Sequence, residues 1–184
     1  MKRTNGAGVV LALLAGVLVA YAADKFTLRV NAGSSEAYKD KAGQVWQADK
    51  EYKKGGGFGF LGGGNVDRGT ELKIAGTEHP RLYQTERYGM EGFKAEVPNG
   101  KYTVRLHFAE TYEDIANDGP RVFDVKLQGQ LVLKDFDVQK TAGAVQKAVV
   151  KEFKGIEVKD GLLALEFIQK QQSPEINGLE ILAE

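Results

Sequence analysis

Tyr102-Thr103-Val104-Arg105-Leu106-His107-Phe108 is the stretch whose reading decides the fold. Tyr102, Val104, Leu106 and Phe108 stand at every second position, with Thr103, Arg105 and His107 between them. A period of two places the first set on one face of an extended strand and the second set on the other, whereas a helix would scatter both around its axis. The same alternation recurs, with varying clarity, in Val122 to Leu127, Leu131 to Leu133, Val145 to Phe153, Leu163 to Ile168 and Ile176 to Leu182. Between these runs stand Pro98-Asn99-Gly100, Gln128-Gly129 and Lys159-Asp160-Gly161, whose Asn-Gly and Asp-Gly pairs tolerate the positive φ of tight hairpins. Hairpin-linked strands at this spacing predict an all-β fold, an antiparallel β-sandwich that fills residues 25–184 as one domain.

Composition narrows what such a sandwich does. In 184 residues, 25 Lys+Arg balance 25 Asp+Glu, so there is no excess of positive charge to release counterions from a phosphate backbone, and nucleic acid is not expected as a partner. The 42% of hydrophobic residues suffices for a real core. Cysteine is absent, which removes disulfides, thiolate metal sites and cysteine nucleophiles. At the N-terminus, Lys2 and Arg3 precede an apolar run from Val9 to Ala20, and Ala20-Tyr21-Ala22 supplies the small residues of a cleavage site. Residues 1–22 are therefore expected to be a cleavable signal segment, with an uncleaved anchor as the alternative. The run is shorter than the roughly 20 residues that cross a bilayer, and no later segment approaches that length, so no transmembrane span is expected in the mature chain. Export to the periplasm, the cell envelope or the medium follows.

Three clusters attract attention as sites. Gly55 to Asn65 surrounds Phe58, Phe60 and Leu61 with glycines. Gly57-Phe58-Gly59-Phe60-Leu61-Gly62 has the spacing of a dinucleotide-binding loop, but no buried strand precedes it and no helix follows to receive a pyrophosphate. The remaining readings are a plain surface loop or a loop whose phenylalanine rings are kept for binding. Arg81 to Tyr88 is dense in tyrosine and in multiple hydrogen-bonding groups, and Phe108 to Asp114 carries a strand end into an acidic loop with Tyr112. Flat rings beside carboxylates, amides and guanidinium groups are what a pyranose requires, the rings for its C–H face and the polar groups for its hydroxyls. Catalysis is not expected. His79 and His107 have no serine in a nucleophile turn, and a bare sandwich leaves little wall for a water-excluding cleft around Glu110, Glu113, Asp114 and Asp118. No cofactor is expected, although the same carboxylates are the oxygen donors of a structural calcium ion, and that alternative stays open.

Several stretches together resemble the malectin domain family: Arg29-Val30-Asn31-Ala32-Gly33, Trp46-Gln47-Ala48-Asp49, Tyr83-Gln84-Thr85-Glu86-Arg87-Tyr88, His107-Phe108-Ala109-Glu110, Val122-Phe123-Asp124-Val125, Lys134-Asp135-Phe136-Asp137-Val138 and Ile176-Asn177-Gly178-Leu179-Glu180-Ile181. The resemblance implies a jelly-roll-like, galactose-binding-type sandwich acting as a non-catalytic carbohydrate-binding module, with its ligand cleft in loops at one end. Carried over by position, the cleft aromatics fall on Phe58, Tyr88 and Tyr112, with Phe60 extending the platform. Glu86, Arg87, Glu113 and Gln172 are the candidates to bond sugar hydroxyls. The family lectin has tyrosine where Phe58 stands, a second aromatic where Glu113 stands and an acidic residue near Gln172. The expected ligand is an oligosaccharide or polysaccharide, with glucose-containing glycans among the candidates. The alternative function is a structural or protein-interaction sandwich of the bacterial envelope, with a separate protein as its partner.

Overall fold

A computed structural model describes residues 25–184. The expected signal segment, residues 1–22, lies outside the described residues. In chain order the elements are β1 (Thr27–Asn31), β2 (Tyr38–Lys39), β3 (Val45–Ala48), β4 (Phe58–Leu61), β5 (Gly64–Asp67), α1 (Pro80–Tyr83), β6 (Thr85–Tyr88), β7 (Gly92–Glu96) and β8 (Gly100–Phe108). They continue as α2 (Ile115–Asp118), β9 (Val122–Leu127), β10 (Gln130–Asp137), α3 (Val138–Ala142), β11 (Val149–Val158), β12 (Leu162–Gln171), β13 (Glu175–Ile176) and β14 (Gly178–Ala183).

Two sheets make the sandwich. One runs β11-β8-β14-β1-β3-β2 and the other β10-β9-β12-β7-β4, and a third, β13-β6-β5, sits at one end. Pairing between named strands is antiparallel apart from the short parallel register of Val30 with Gln47 and Asn31 with Ala48. The alternation in β8 is realised: Tyr102, Val104, Leu106 and Phe108 are buried with Phe123, Val125 and Leu127 of β9, Leu163, Leu165 and Phe167 of β12, and Phe93 of β7. Each large side chain so buried contributes about 1.5–3 kcal/mol relative to exposure, which makes this layer the main source of stability.

The other face of β8 is less exposed than its polarity suggests. Arg29 Nε bonds Glu180 Oε2 at 2.9 Å, and Arg105 Nε bonds Glu152 Oε2 at 2.6 Å, a ladder of opposite charges across β1, β14, β8 and β11. His107 is buried on that face. Its Nδ1 lies 2.9 Å from the Tyr83 hydroxyl and its Nε2 3.1 Å from Glu180 Oε1, and the Trp46 ring meets it edge-on at 5.3 Å. Trp46, Ile74, Leu82, Tyr83 and Ala109 form a second small apolar cluster there.

Three strand boundaries differ from the sequence reading. The strand expected from Val145 to Phe153 is β11, which starts at Val149, leaves Val145 exposed in the preceding turn and continues through Val158. Leu131 to Leu133 is the middle of the longer β10. Ile176 to Leu182 is split at Asn177 into β13 and β14, which belong to different sheets. Within the Gly55 to Asn65 stretch, Gly55 to Gly57 form a turn, but from Phe58 on the chain is two strands turned by Gly62 and Gly63, both at positive φ. A Cβ on Gly63 would stand 2.5 Å from the Tyr88 carbonyl oxygen, so the turn closes only on glycine.

Candidate ligand-binding site

The three-stranded sheet presents one face to a cavity of about 380 Å³. Gly64 and Val66 of β5 pair with Tyr88 and Glu86 of β6, and Tyr88 pairs in turn with Glu175 of β13. Residues directly opposite in an antiparallel pair share a face, so Val66, Glu86, Tyr88 and Glu175 all lie on the cavity side. The other walls come from distant segments: Tyr112, Arg121, Gln172 and Ser173.

Tyr88 is 42% exposed, a large fraction for a tyrosine amid so many buried neighbours. Its ring lies across Gly64, where a Cβ would stand 2.9 Å from the Tyr88 hydroxyl oxygen. The Tyr112 hydroxyl donates to Asp118 Oδ2 at 2.7 Å, and this bond, with partial burial and the Asp118 charge, raises the phenol above its ordinary value and keeps it protonated. Gln172 Nε2 donates to the Asp118 carbonyl at 2.8 Å from a backbone at φ 57°, the left-handed region that non-glycine residues seldom occupy.

Beneath these groups the floor is ionic. Arg121 forks onto Glu110, Nε to Oε2 at 2.8 Å and Nη2 to Oε1 at 3.3 Å, and its Nη1 donates to the Ser173 carbonyl. Glu110 also accepts the Tyr112 backbone N–H at 3.0 Å, which folds the chain so that the Tyr112 ring faces the cavity wall. Arg68 Nη2 donates to Glu86 Oε1 at 3.1 Å, and the Thr111 hydroxyl donates to Glu86 Oε2. Glu175 is completely buried, and neither of its oxygens, nor Arg68 Nε, has a hydrogen-bond partner among the described protein atoms. Burial first, and then the nearby Glu86 and Glu110 charges, push the Glu175 carboxyl well above its ordinary value.

The expected site residues separate into two groups. Tyr88, Tyr112 and Gln172 come together around the cavity. Phe60 does not: it is a fully buried core residue, edge-on to Phe93 at 4.9 Å, with no face left for a ligand. Phe58 is half-buried on β4 in the five-stranded sheet, packed 6.2 Å from Phe93 with Lys50 Nζ 4.1 Å above its ring, and it is not in the cavity lining. Arg87 points from the opposite side of β6. It donates to the Gly62 carbonyl at 3.0 and 2.7 Å, to Asp49 Oδ1 at 3.0 Å, to Asn65 Oδ1 at 3.2 Å and to Glu51, so it clamps the glycine turn. Glu86 is buried under the cavity rather than in its wall, and Glu113 is exposed outside the lining.

Arg68 and Arg121 are lining residues the sequence reading did not single out. The signal for Arg121 was available, since Glu110 continues the inward period of Phe108 and a buried carboxylate demands a cation. Among the described residues no group of three or more histidines, cysteines or carboxylates could hold a metal ion, because Glu110 is spent on Arg121 and Asp118 on Tyr112. Among the described residues no helix is long and apolar enough to cross a membrane.

A second hollow of about 480 Å³ lies elsewhere in the sandwich, among Gln128, Gln130, Glu157 and Asp160, with no aromatic side chain in its wall. Of these two, the first offers rings as well as hydrogen-bonding groups.

Comparison with known proteins agrees with this architecture. The malectin domain profile matches residues 26–179. Human malectin is 32% identical over 97% of this chain and 64% of its own length, and Xenopus laevis malectin-B is 34% identical over 78% and 50%. The chain thus spans about half to two thirds of these curated relatives. Among solved structures, a Bacteroides uniformis beta-glucuronidase superposes with a TM-score of 0.77 at 23% identity, covering 86% of this chain and 18% of that one. The extracellular domain of ANXUR1 from Arabidopsis thaliana superposes with a TM-score of 0.68 at 18% identity, covering 85% and 47%. At such identities the structures speak for the fold alone, while the profile match and the malectin relatives speak for descent: the chain belongs to the malectin domain family.

Proposed function

We propose that this domain is a non-catalytic carbohydrate-binding module that holds an oligosaccharide, with glucose-containing glycans as the first candidates, in the cavity between Tyr88, Tyr112 and Gln172. The observation that carries the reading is the convergence of two tyrosines and an amide from three distant segments on one cavity, in a chain of the malectin domain family. Its volume, about 380 Å³, falls in the range of small-ligand sites. The Tyr88 ring supplies a stacking face, and Gln172 and the arginine N–H groups supply donors for hydroxyls. The carboxyls beneath are committed to guanidinium partners or buried, which argues against a pair of carboxylates flanking a glycosidic bond. Export through the signal segment at residues 1–22 is part of the same proposal, and N-terminal sequencing of the exported protein checks it.

Calorimetric titration with maltose-type and cellulose-type oligosaccharides tests the binding. Saturable, weak binding to one series, lost in Tyr88→Ala and Tyr112→Ala at unchanged melting temperature, is the expected result. Blank titrations across both series, or turnover of a chromogenic glycoside, would remove the proposal.

A further inference from the structure

Glu175 is the one buried carboxyl at the cavity floor that neither the fold nor the proposed binding contacts use. It sits directly opposite Tyr88 in the β6–β13 pair and on the same face as Glu86. The charged groups acting on it come from four segments. Glu86 belongs to β6, Glu110 follows β8, Arg121 precedes β9 and Arg68 follows β5, and the Tyr88 phenol lies across the strand pair. Arg121 and Arg68 are also walls of the cavity. Two guanidinium groups already neutralise Glu86 and Glu110, so a third carboxylate here would be in excess by one charge, in a place without water to solvate it.

We propose that Glu175 is a positioning residue of this cavity: uncharged, it leaves Arg68 on Glu86 and Arg121 on Glu110, and on losing its proton it draws those guanidinium groups inward and takes the cavity walls out of shape. The inference rests on the carbohydrate-binding reading for its functional consequence but not for its structural one. The mechanism uses the observed vacancies in bonding. Arg68 Nε and both Glu175 oxygens lack partners, so an ionised Glu175 has a donor at hand whose capture costs Arg68 no existing bond at that nitrogen. Arg121 is different, because its three nitrogens are all engaged, and to meet Glu175 it must release Glu110 or the Ser173 carbonyl. Release of the Ser173 carbonyl frees the segment that carries Gln172 and Ser173, and release of Glu110 frees the carboxylate that holds the Tyr112 backbone.

The sign of the pH effect follows from the raised Glu175 carboxyl. Its folded-state value lies above the ordinary 4.5, so the native state holds a proton that the unfolded chain gives up. The associated stability is fully present below the ordinary value and is lost progressively as pH rises toward and through the folded-state value. Oligosaccharide binding should weaken only at the upper end of that rise, where the folded-state carboxyl itself loses its proton.

The experiment compares the full chain with its Glu175→Gln variant, which keeps the shape and holds no charge. Three quantities are followed from acid to alkaline pH: melting temperature, affinity for a maltose-type oligosaccharide, and the side-chain Nε–H signals of Arg68 and Arg121 in nitrogen-15 NMR spectra. The expected result is that the native protein loses melting temperature from the ordinary carboxylate range upward, and that at the upper end of that range, where the folded-state carboxyl gives up its proton, it loses affinity several-fold and shifts both arginine signals together. Glu175→Gln should follow the native protein in acid, exceed its stability at neutral and alkaline pH, and show none of the three titrations. Identical profiles for the two proteins, flat arginine signals in the native one, or a Glu175→Gln variant less stable than the native protein at neutral pH would each overturn the proposal. If no oligosaccharide binds at any pH while the arginine signals still titrate through Glu175, the carbohydrate reading fails and the positioning of the walls stands.

Discussion

The middle of the sandwich and its cavity end are both dry, but they are dry in different ways. Between β8, β9, β12 and β7 the interior is Val104, Leu106, Phe108, Phe123, Val125, Leu165 and Phe93, with no charge among them. Beneath the cavity the buried side chains are Glu86, Glu110, Glu175 and Arg121. Apolar burial is non-directional, so the middle needs volume and pattern and tolerates substitutions of similar shape. Buried ion pairs are directional and unforgiving of a missing partner, so the cavity end trades tolerance for fixed positions of its walls. The difference explains why a ligand cavity sits where the core is least like oil.

Four perturbations break or sharpen this contrast. The largest effect is expected from Arg121→Met, which leaves Glu110 buried without its fork and should cost about 3–5 kcal/mol of stability in urea denaturation. Oligosaccharide binding should vanish with it, and partial rescue by adding Glu110→Gln would identify the stranded charge as the cause. Phe123→Leu in the apolar middle should cost only about 1.5 kcal/mol and leave affinity unchanged in the same titration. If both variants lost binding equally, the two regions would not be separable. Tyr88→Ala should change affinity more than stability, by about 1 kcal/mol, since 42% of the residue is exposed. Gly64→Ala should then weaken binding by less than that, by pushing the Tyr88 ring from β5, and should have no further effect in a Tyr88→Ala background.

The smallest expected effect is electrostatic and lies outside the cavity. Arg81 grips Asp67 with both nitrogens, at 2.8 and 2.6 Å, and that bond holds the carboxyl down to about 2. A depressed carboxyl adds stability above its unfolded value, and that stability is lost as pH falls toward the folded value. Asp67 is half-exposed, so the native protein should lose only a few tenths of a kcal/mol relative to Asp67→Asn on acidification, and less in high salt. Thermal melts from neutral pH down to acid read the difference.

The apolar middle was legible from one strand because its physics is a pattern within the sequence. Tyr102 to Phe108 alternates, the structure alternates with it, and Val122–Leu127 matches its expected bounds. The cavity end was only half legible. In the hexapeptide, Thr85, Glu86 and Arg87 are buried and Tyr88 alone is exposed, the reverse of what polarity suggests. Arg87 is paid for by Asp49, Glu51, Asn65 and the Gly62 carbonyl, partners tens of residues away that no local pattern connects. Phe60 misled for the complementary reason: glycines around a phenylalanine read as an exposed loop, when Gly59 is there because a Cβ would stand 2.4 Å from the Tyr52 backbone nitrogen. Gly59 marks close strand packing, and the ring beside it fills the core.

Asn177, where one expected strand became two, has a mechanical meaning. Its side chain accepts from the Ala109 N–H at 2.6 Å and donates to the Thr85 and Tyr83 carbonyls at 2.9 and 3.3 Å, while its own N–H donates to the His107 carbonyl and its carbonyl accepts from the Ala32 N–H. Every hydrogen-bonding group of one residue is thus fastened to the strands on either side, like a rivet through two plates. A hinge between the cavity sheet and the sandwich would have to tear all of these at once. The cavity walls are therefore pre-set, and on the proposed function a sugar would have only the rotations of a few surface side chains to freeze on arrival, so little of the contact energy would be lost to ordering the protein.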